Sequence, residues 1–418
     1  MKFPDMIRIR QDFDKQTLDD IAGEIKNQLI HLNLGSQVQK EQTVAVACSS
    51  RGIANYGTVV ECVVSHLKEL GLKPFLFPAM GSHGSATAEG QKMVLEHLGV
   101  TEEHTGAPIQ SSLEVIEIDR TEDNIPVYLD KLAAAANHLV LINRIKKHTE
   151  FEYWFESGLL KMMAIGLGKQ AGAAVYHEAM MTFGYPRIIL TVARKIMQHT
   201  NLLFGLGIVE NGYGHTARIG IGHSDSIEEM ERGLFEEAKC LTPGLPFEDI
   251  DILIIDEMGK EISGTGFDTK VVGRIGLPLV CKDPETPRIK RILVCDLSSK
   301  SDGNAVGVGV ADFITQRLLN RIDMDALYMN SITGACPEMG KIPLTLKTDH
   351  EALDTAIKSL GLIPKEKLKI MRIKNTAQIS QMDVSEAYAE ELAKRSDLHV
   401  DVEKREMAFD KNGNLIPF

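Results

Sequence analysis

Reactive and anion-binding side chains gather in three short loops, each of which directly follows an apolar run: TVAVA, PFLFP or HLVLIN. A guanidinium suits carboxylate or phosphate recognition, glycines let backbone amides approach an anion, and histidine can move protons near neutral pH. Simpler interpretations stay open, because these side chains could cap a helix, lie in a solvated turn or face the surface. The candidates are Ser50, Arg51, Gly81, His83 and His148.

The stretch ESGLLKMMAIGLGKQAGAAVYH, residues 156–177, has an unusual composition. Glycines and other small residues surround Lys161 and Lys169, and the stretch ends at His177. Burial among leucine and methionine side chains would lower the pKa of Lys161 and make its amine nucleophilic. The alternative is a helical lysine whose stem covers apolar surface while its ammonium reaches solvent.

Two loops in the second half of the chain also follow apolar runs. Lys260 lies in the glycine-rich DEMGKEISGTGFD, and Lys300 lies in SSKSDGN. Backbone amides of such loops can hold a phosphate or carboxylate, with a lysine supplying positive charge. An ordinary turn explains either loop equally well. We therefore consider Lys260 and Lys300, together with Arg51, as candidate substrate contacts.

The elements that must position these loops can be read from the hydrophobic pattern. Short aliphatic runs alternate with helix-length amphipathic segments, and the strands expected include LEVIEI at 113–118 while the helices expected include 309–321. This alternation predicts an α/β fold with largely parallel sheets flanked by helices. Because the carboxyl ends of parallel strands form a common binding edge, the first three loops should converge on one site.

A chain of 418 residues is too long for one ordinary core, so two domains are expected. Pro243 and Pro246 mark the change from one series of strands and helices to the next. We expect residues 1–248 to form a cofactor-binding, catalytic domain and residues 249–418 to form an α/β domain that completes the substrate site. The active site is then expected in the cleft between them.

Composition narrows the class of protein. The formal net charge of −12 argues against nucleic acid as a partner, because phosphate backbones require a basic face. Six scattered cysteines without a C-x-x-C pair argue against a disulfide scaffold or a structural zinc site. Charges interrupt the first residues before a signal-peptide core can form, and no apolar run of about 18 residues occurs. These features predict a cytoplasmic protein without a membrane span.

At these residues the chain resembles the nickel-dependent lactate racemase family, whose members use a nickel-pincer nucleotide, a pyridinium mononucleotide with thio groups that holds nickel. The likeness covers roughly residues 40–225. The most specific part is the spacing of 16 residues between a lysine and a later histidine. The matching motifs are Ser50-Arg51, Gly81-Ser82-His83, His148 before Ser157-Gly158-Leu159-Leu160-Lys161, and His177.

The resemblance implies a role for each position. Lys161, within the Ser157-Gly158 segment, would carry the cofactor through a thioamide, and His177 would ligate nickel. His83 and His148 would be acid/base groups on opposite faces of the substrate. The remaining cofactor-site and substrate-site candidates would be Ser50, Arg51 and Gly81.

The implied activity is a racemase or C2-epimerase of a 2-hydroxy acid, by hydride transfer to and from the cofactor. The interval from His148 to Lys161 is longer than in the lactate enzyme, which makes a sugar acid such as an aldonate a second substrate candidate beside lactate. Cofactor-synthesis enzymes would be functional partners.

Two other classes stay open on the residues alone. One is a nicotinamide-dependent oxidoreductase or a hydro-lyase on the same α/β frame, although no G-x-G-x-x-G follows the first apolar run. The other is a non-catalytic protein that binds a small carboxylate or a nucleotide.

Overall fold

The chain forms two compact units in the computed structural model, which describes residues 3–81, 83–277 and 281–418. The N-terminal unit is Asp14–Thr242. The C-terminal unit combines Met1–Phe13 with Pro243–Phe418. The first strand of the chain therefore belongs to the second unit, which no pattern in the sequence predicts.

Strands and helices alternate along most of the described residues. In chain order the strands are β1 (Met6–Gln11), β2 (Thr43–Cys48), β3 (Lys73–Pro78), β4 (Val115–Arg120), β5 (Pro126–Asp130), β6 (His138–Arg144), β7 (Leu202–Glu210), β8 (Thr216–His223), β9 (Asp249–Met258), β10 (Arg288–Leu297), β11 (Phe313–Thr315), β12 (Leu344–Leu346), β13 (Ile370–Asn375), β14 (Gln378–Ser385) and β15 (Leu398–Arg405). The α-helices are α1 (Ile21–His31), α2 (Tyr56–Glu69), α3 (Ala88–His97), α4 (Glu102–Thr105), α5 (Lys131–Ala135), α6 (Leu159–Lys161), α7 (Lys169–Phe183), α8 (Tyr185–His199), α9 (Ile227–Leu241), α10 (Gln316–Leu319), α11 (Met324–Thr333), α12 (Asp349–Lys358) and α13 (Ala389–Leu392). A π-helical turn, Met162–Gly166, lies between α6 and α7.

A five-stranded sheet organises the N-terminal unit, in the order β3-β2-β6-β7-β8. The first four strands are parallel, and β8 closes the sheet antiparallel to β7. Strand β2 is buried from its second residue to its end, as a central parallel strand covered on both faces must be. Helix α2 packs on this sheet with apolar residues at helical spacing, including Val59, Val63 and Leu67.

An eight-stranded sheet organises the C-terminal unit, in the order β12-β11-β10-β9-β13-β14-β1-β15. The five strands β12, β11, β10, β9 and β13 are parallel to one another. Strands β14, β1 and β15 extend the sheet in antiparallel fashion. Both units are thus α/β with mainly parallel sheets, which confirms the expected fold class. None of the helices in the described part of the chain combines the length and apolar character needed to cross a bilayer.

One local expectation was wrong, and another was met only in part. LEVIEI contributes β4, but this strand pairs only with β5, in an antiparallel two-stranded ribbon outside the main sheet. The segment 309–321 is not one helix, because it contains the short strand β11 and only one turn of α-helix in α10. In both segments tertiary pairing decided between conformations that the local pattern could not separate.

Candidate functional site

The loops that carry Arg51, His83 and His148 all leave the same edge of the N-terminal sheet. They follow the carboxyl ends of β2, β3 and β6, which are neighbours in parallel register. The structure therefore brings these loops to one edge, as the pattern of strands predicts. Ser50 lies in the first loop, and Gly81 opens the second. Ser82, between Gly81 and His83, lies outside the described residues.

The simple alternatives for the two loop histidines do not hold. Helix α3 is capped by Thr87, whose hydroxyl accepts a hydrogen bond from the backbone N–H of Gly90 at 3.0 Å, so His83 is not its cap. His148 is buried, with 8% of its surface exposed, and does not belong to a solvated turn.

A close polar contact at this edge joins the side chains of His148 and Lys161, between ring atom Nε2 and amine atom Nζ. The other ring nitrogen, Nδ1, accepts a hydrogen bond from the backbone N–H of Glu150 at 3.1 Å. A neutral imidazole that accepts at Nδ1 carries its proton on Nε2 and donates there. The lysine amine must then accept that proton, which only its neutral form can do.

The electrostatics of the segment agree with a neutral amine. Burial lowers the pKa of Lys161 to about 8, opposed by the nearby carboxylate of Glu150 and assisted by the positive charge of Arg51. Burial, with a smaller contribution from Lys161, lowers the pKa of His177 to about 4. At neutral pH His177 is therefore almost fully unprotonated, the form that binds metals, and roughly a tenth of Lys161 is unprotonated, the form that attacks carbonyl carbon.

The long interval between His148 and Lys161 is folded as a closed loop. Lys146 and Ser157 exchange two backbone hydrogen bonds of 2.9 and 3.0 Å and thereby join the two ends of the loop. Inside it, the carboxylate of Glu156 accepts a hydrogen bond from the backbone N–H of His148. The extra residues thus fix the backbone of His148.

Aromatic side chains of the same loop cover the histidine. Phe151 lies 4.8 Å from the His148 ring and 5.6 Å from Tyr185, between ring centroids, and stacks on the tyrosine. Trp154 packs under the guanidinium of Arg232 at 4.5 Å. This packing restricts access of water to one side of His148, which strengthens electrostatic interactions there.

A buried carboxyl group supports the turn that carries Lys161. Glu231 of α9 accepts a hydrogen bond from the backbone N–H of Leu160 at 3.0 Å, at the start of α6. Its other oxygen lies so close to Gly158 that an added Cβ would approach to 2.0 Å. The glycine of the Ser-Gly-x-x-Lys motif is therefore required by Glu231. Burial raises the pKa of Glu231 to about 8, although backbone hydrogen bonds oppose the shift.

Two arginines lie at this edge, but only one of them has a carboxylate partner among the described residues. Arg144 pairs with Glu210, whose second oxygen accepts from the backbone N–H of Ala54 at 2.6 Å. Arg51 makes no hydrogen bond or ion pair within the part of the chain that the structure describes. Desolvation and the positive charge of Arg144 lower the pKa of Arg51. A bound anion would relieve this repulsion, as expected for a carboxylate or phosphate contact.

The loop before His83 packs on the segments that follow Lys161. An added Cβ at Gly81 would lie 3.4 Å from side-chain atoms of both Ile165 and Ala173, on the π-helical turn and on α7. His177 is part of α7 as well. The residues assigned to one site by their motifs are therefore carried by segments that pack on one another.

The candidates of the second half form a separate group in the C-terminal unit. The backbone N–H of Lys260 donates to Ser301 at 2.7 Å, so the loops after β9 and β10 are in contact. The Lys260 amine donates to Asn330, and Lys300 is exposed. Arg51 belongs to the N-terminal unit, so these three expected substrate contacts are not brought together within one unit.

Comparison with known proteins decides the family. Residues 10–185 match the model of the lactate racemase N-terminal domain. This part of the chain, less than half of its length, is similar to that domain. The family predicted from the loop motifs is thereby confirmed, and Arg51, Lys161 and His177 all lie within the matched range. No curated protein matches the chain in sequence.

The fold extends this similarity beyond the N-terminal domain. The lactate racemase apoprotein from Thermoanaerobacterium thermosaccharolyticum superposes with a TM-score of 0.55 at 15% sequence identity. The alignment covers 90% of this chain and 99% of that chain. The two proteins therefore share a fold over most of their length.

Sequence reasoning missed two carboxylates of the candidate site, Glu150 and Glu231. Glu231 lies four residues after Ile227 and three before Leu234, on the buried face of α9. A carboxylate on the apolar face of an amphipathic helix was the signal that could have found it. Glu150 gave no comparable signal, because it lies in a loop rich in charged residues.

Glu231→Gln should change how the stability of the N-terminal unit depends on pH. Because burial raises the folded-state pKa of this group from 4.5 to about 8, its contribution to stability is greatest below pH 4.5 and is lost as pH rises to about 8. The variant should therefore gain stability relative to the parent, on the order of 1 kcal/mol per pH unit across this window. Chemical unfolding at about pH 5, 7 and 9 measures the difference.

Glu229→Gln, an exposed position on the same helix, is the matched control and should give no pH-dependent difference. Parallel stability profiles of the parent and Glu231→Gln would contradict the proposed protonation of Glu231.

Proposed function

We propose that this protein is a racemase or C2-epimerase of a 2-hydroxy acid that uses a nickel-pincer nucleotide. The observation that carries the proposal is the contact between the Lys161 amine and His148 within a lactate racemase N-terminal domain. A buried lysine amine with a pKa near 8 is suited to forming a covalent bond with a carbonyl-type carbon.

The residues present fit this cofactor. Lys161 would carry it, and His177 would supply a neutral ring nitrogen to nickel, whose preference for nitrogen and sulfur donors in a planar arrangement matches such a group. Gly81, Ser50 and the Ser157-Gly158 segment would line it. When bound, the cofactor would accept a hydride from the substrate and return it.

The protein side chains would bind the substrate and move its proton. Arg51, an exposed guanidinium whose pKa is lowered by desolvation and by the positive charge of Arg144, would hold the carboxylate of the 2-hydroxy acid. Acylation of Lys161 would remove the lone pair that faces His148. The Nε2 atom of His148 would then face the substrate hydroxyl, and the ring would have to carry its proton on Nδ1 to accept the hydroxyl proton at Nε2.

Two histidines are needed because the two enantiomers present their hydroxyl groups on opposite sides. His148 would accept the hydroxyl proton of one enantiomer, and His83 would accept that of the other. Each would return a proton when the flat 2-keto acid is reduced on its own side. A dehydrogenase that works on one enantiomer needs only one such group.

The substrate class follows from the same groups. A single guanidinium and two proton-transfer groups recognise the carboxylate and the 2-hydroxyl of the acid, which lactate and longer sugar acids share. Lys260 and Lys300 are proposed as further substrate contacts from the C-terminal unit. The synthesis of the cofactor would require partner enzymes that supply it.

Covalent attachment at Lys161 gives the first test of this function. Protein produced together with the cofactor-synthesis enzymes should show an added mass by intact-mass spectrometry. The added mass should be absent in Lys161→Ala, because the attaching amine is gone. Lys26→Ala, an exposed position on α1, is the control and should retain it. An unmodified parent protein, or an added mass that persists in Lys161→Ala, would contradict the attachment.

The paired histidines give the second test. His83→Ala and His148→Ala should each reduce interconversion of the enantiomers by about 10²–10⁴-fold, the usual effect of losing a general base. Each variant should still oxidise one enantiomer, and the two variants should prefer opposite enantiomers. Chiral chromatography of the 2-hydroxy acid, together with the absorbance of the loaded cofactor, measures both.

His97→Ala, at the exposed carboxyl end of α3, is the histidine control and should be fully active. Near-normal interconversion in either of the loop variants would reject the paired-base mechanism.

A further inference from the structure

The path of the chain between Lys161 and His177 is not a continuous helix. Sixteen residues of α-helix would separate them by about 24 Å. Instead, α6 ends at Lys161, the π-helical turn Met162–Gly166 follows, and α7 begins at Lys169. Lys169 has a φ of 54°, in the left-handed region that residues other than glycine seldom adopt.

The two arms on either side of this break fold together. Ile165 in the first arm and Ala173 in the second both lie 3.4 Å from the position of an added Cβ at Gly81. In a continuous helix, residues eight apart would be separated by about 12 Å. The break at Lys169 thus lets the segment from Lys161 and the segment toward His177 contact the same point.

The side chain of Lys169 is buried at this break, with 0% of its surface exposed. Its amine donates a hydrogen bond to the carbonyl of Pro78 at 2.6 Å and lies 3.3 Å from the carboxylate of Asp130, which is also 0% exposed. Pro78 is the last residue of β3, whose loop carries His83. One ammonium group therefore joins the break to the end of β3 and the end of β5.

Asp130 has a second function that fixes its position. Its other oxygen accepts hydrogen bonds from the backbone N–H groups of Leu132 and Ala133, as the N-cap of α5. Burial lowers the pKa of Lys169 and raises that of Asp130, and each partner opposes the shift of the other. A buried ion pair is a weak source of stability, and the left-handed backbone of Lys169 is strained as well.

We propose that Lys169 is a positioning residue, which holds the two arms together so that Lys161 and His177 are placed beside the loop of His83. The inference rests on the proposed function only for the roles of those three groups. Lys169 itself touches neither substrate nor cofactor. It acts through the ion pair with Asp130 and the hydrogen bond to Pro78.

The double variant Lys169→Met/Asp130→Asn tests this role in protein without cofactor. It removes both charges together and keeps an oxygen to cap α5, so neither an uncompensated charge nor a lost cap complicates folding. The readout is acetylation of Lys161 as a function of pH, followed by peptide mass spectrometry. In the parent protein the midpoint should lie near pH 8.

In the folded double variant the arms separate and water reaches Lys161, so the midpoint should rise toward 10.5 and acetylation at pH 8 should slow on the order of tenfold. Lys169→Met alone should give the same midpoint with lower thermal stability, because Asp130 is then buried without a partner. If that single variant does not fold, the double variant decides.

Arg372→Met is the matched control, because Arg372 also forms a largely buried ion pair, 2.7 Å from Asp256, but belongs to the C-terminal unit. It should lower stability and leave the Lys161 midpoint unchanged. A midpoint that stays near pH 8 in the folded double variant would show that Lys169 only stabilises the fold. The measurement needs no cofactor, so a failure of the proposed racemase function would not alter its outcome.

Discussion

The contact between the Lys161 amine and the His148 imidazole is the interaction on which the rest of the site depends. Lys161 can face His148 only because burial lowers the lysine pKa and because the N–H of Glu150 occupies the other ring nitrogen. Both conditions are imposed by the surrounding backbone. The isolated backbone bridge between Lys146 and Ser157 closes the loop, and Glu231 fixes the turn from which Lys161 projects.

The charged side chains around the contact between Lys161 and His148 leave one side of it with few carboxylates. The carboxylates of Glu150 and Glu210 are near the site, yet Glu210 is already shared by Arg144 and a backbone amide. Within the described residues Arg51 has no carboxylate partner. Its positive charge lowers the pKa of Lys161, and the charge of Arg144 lowers the pKa of Arg51. Such an arrangement favours an anionic ligand over an empty site.

The strand-to-loop pattern was predictable because buried parallel strands are continuous apolar runs, and their carboxyl ends must share an edge. This places Arg51, His83 and His148 without a structure. The pairing of LEVIEI and the partners of Glu231 and Lys169 were not predictable, since each depends on a segment distant in sequence. A charged side chain on a buried helix face indicates that a partner is needed, but not which partner it is.

Hydride transfer at C2 is the central claim, and the fate of the C2 hydrogen tests it most directly. One enantiomer of lactate or an aldonate would be incubated in D₂O with protein that carries the cofactor, and the opposite enantiomer analysed by NMR and mass spectrometry. Our account predicts that the new enantiomer retains its original C2 hydrogen, because a transferred hydride does not exchange with solvent. Deuterium at C2 would indicate proton abstraction instead, and the absence of the opposite enantiomer with either acid would contradict the racemase function itself.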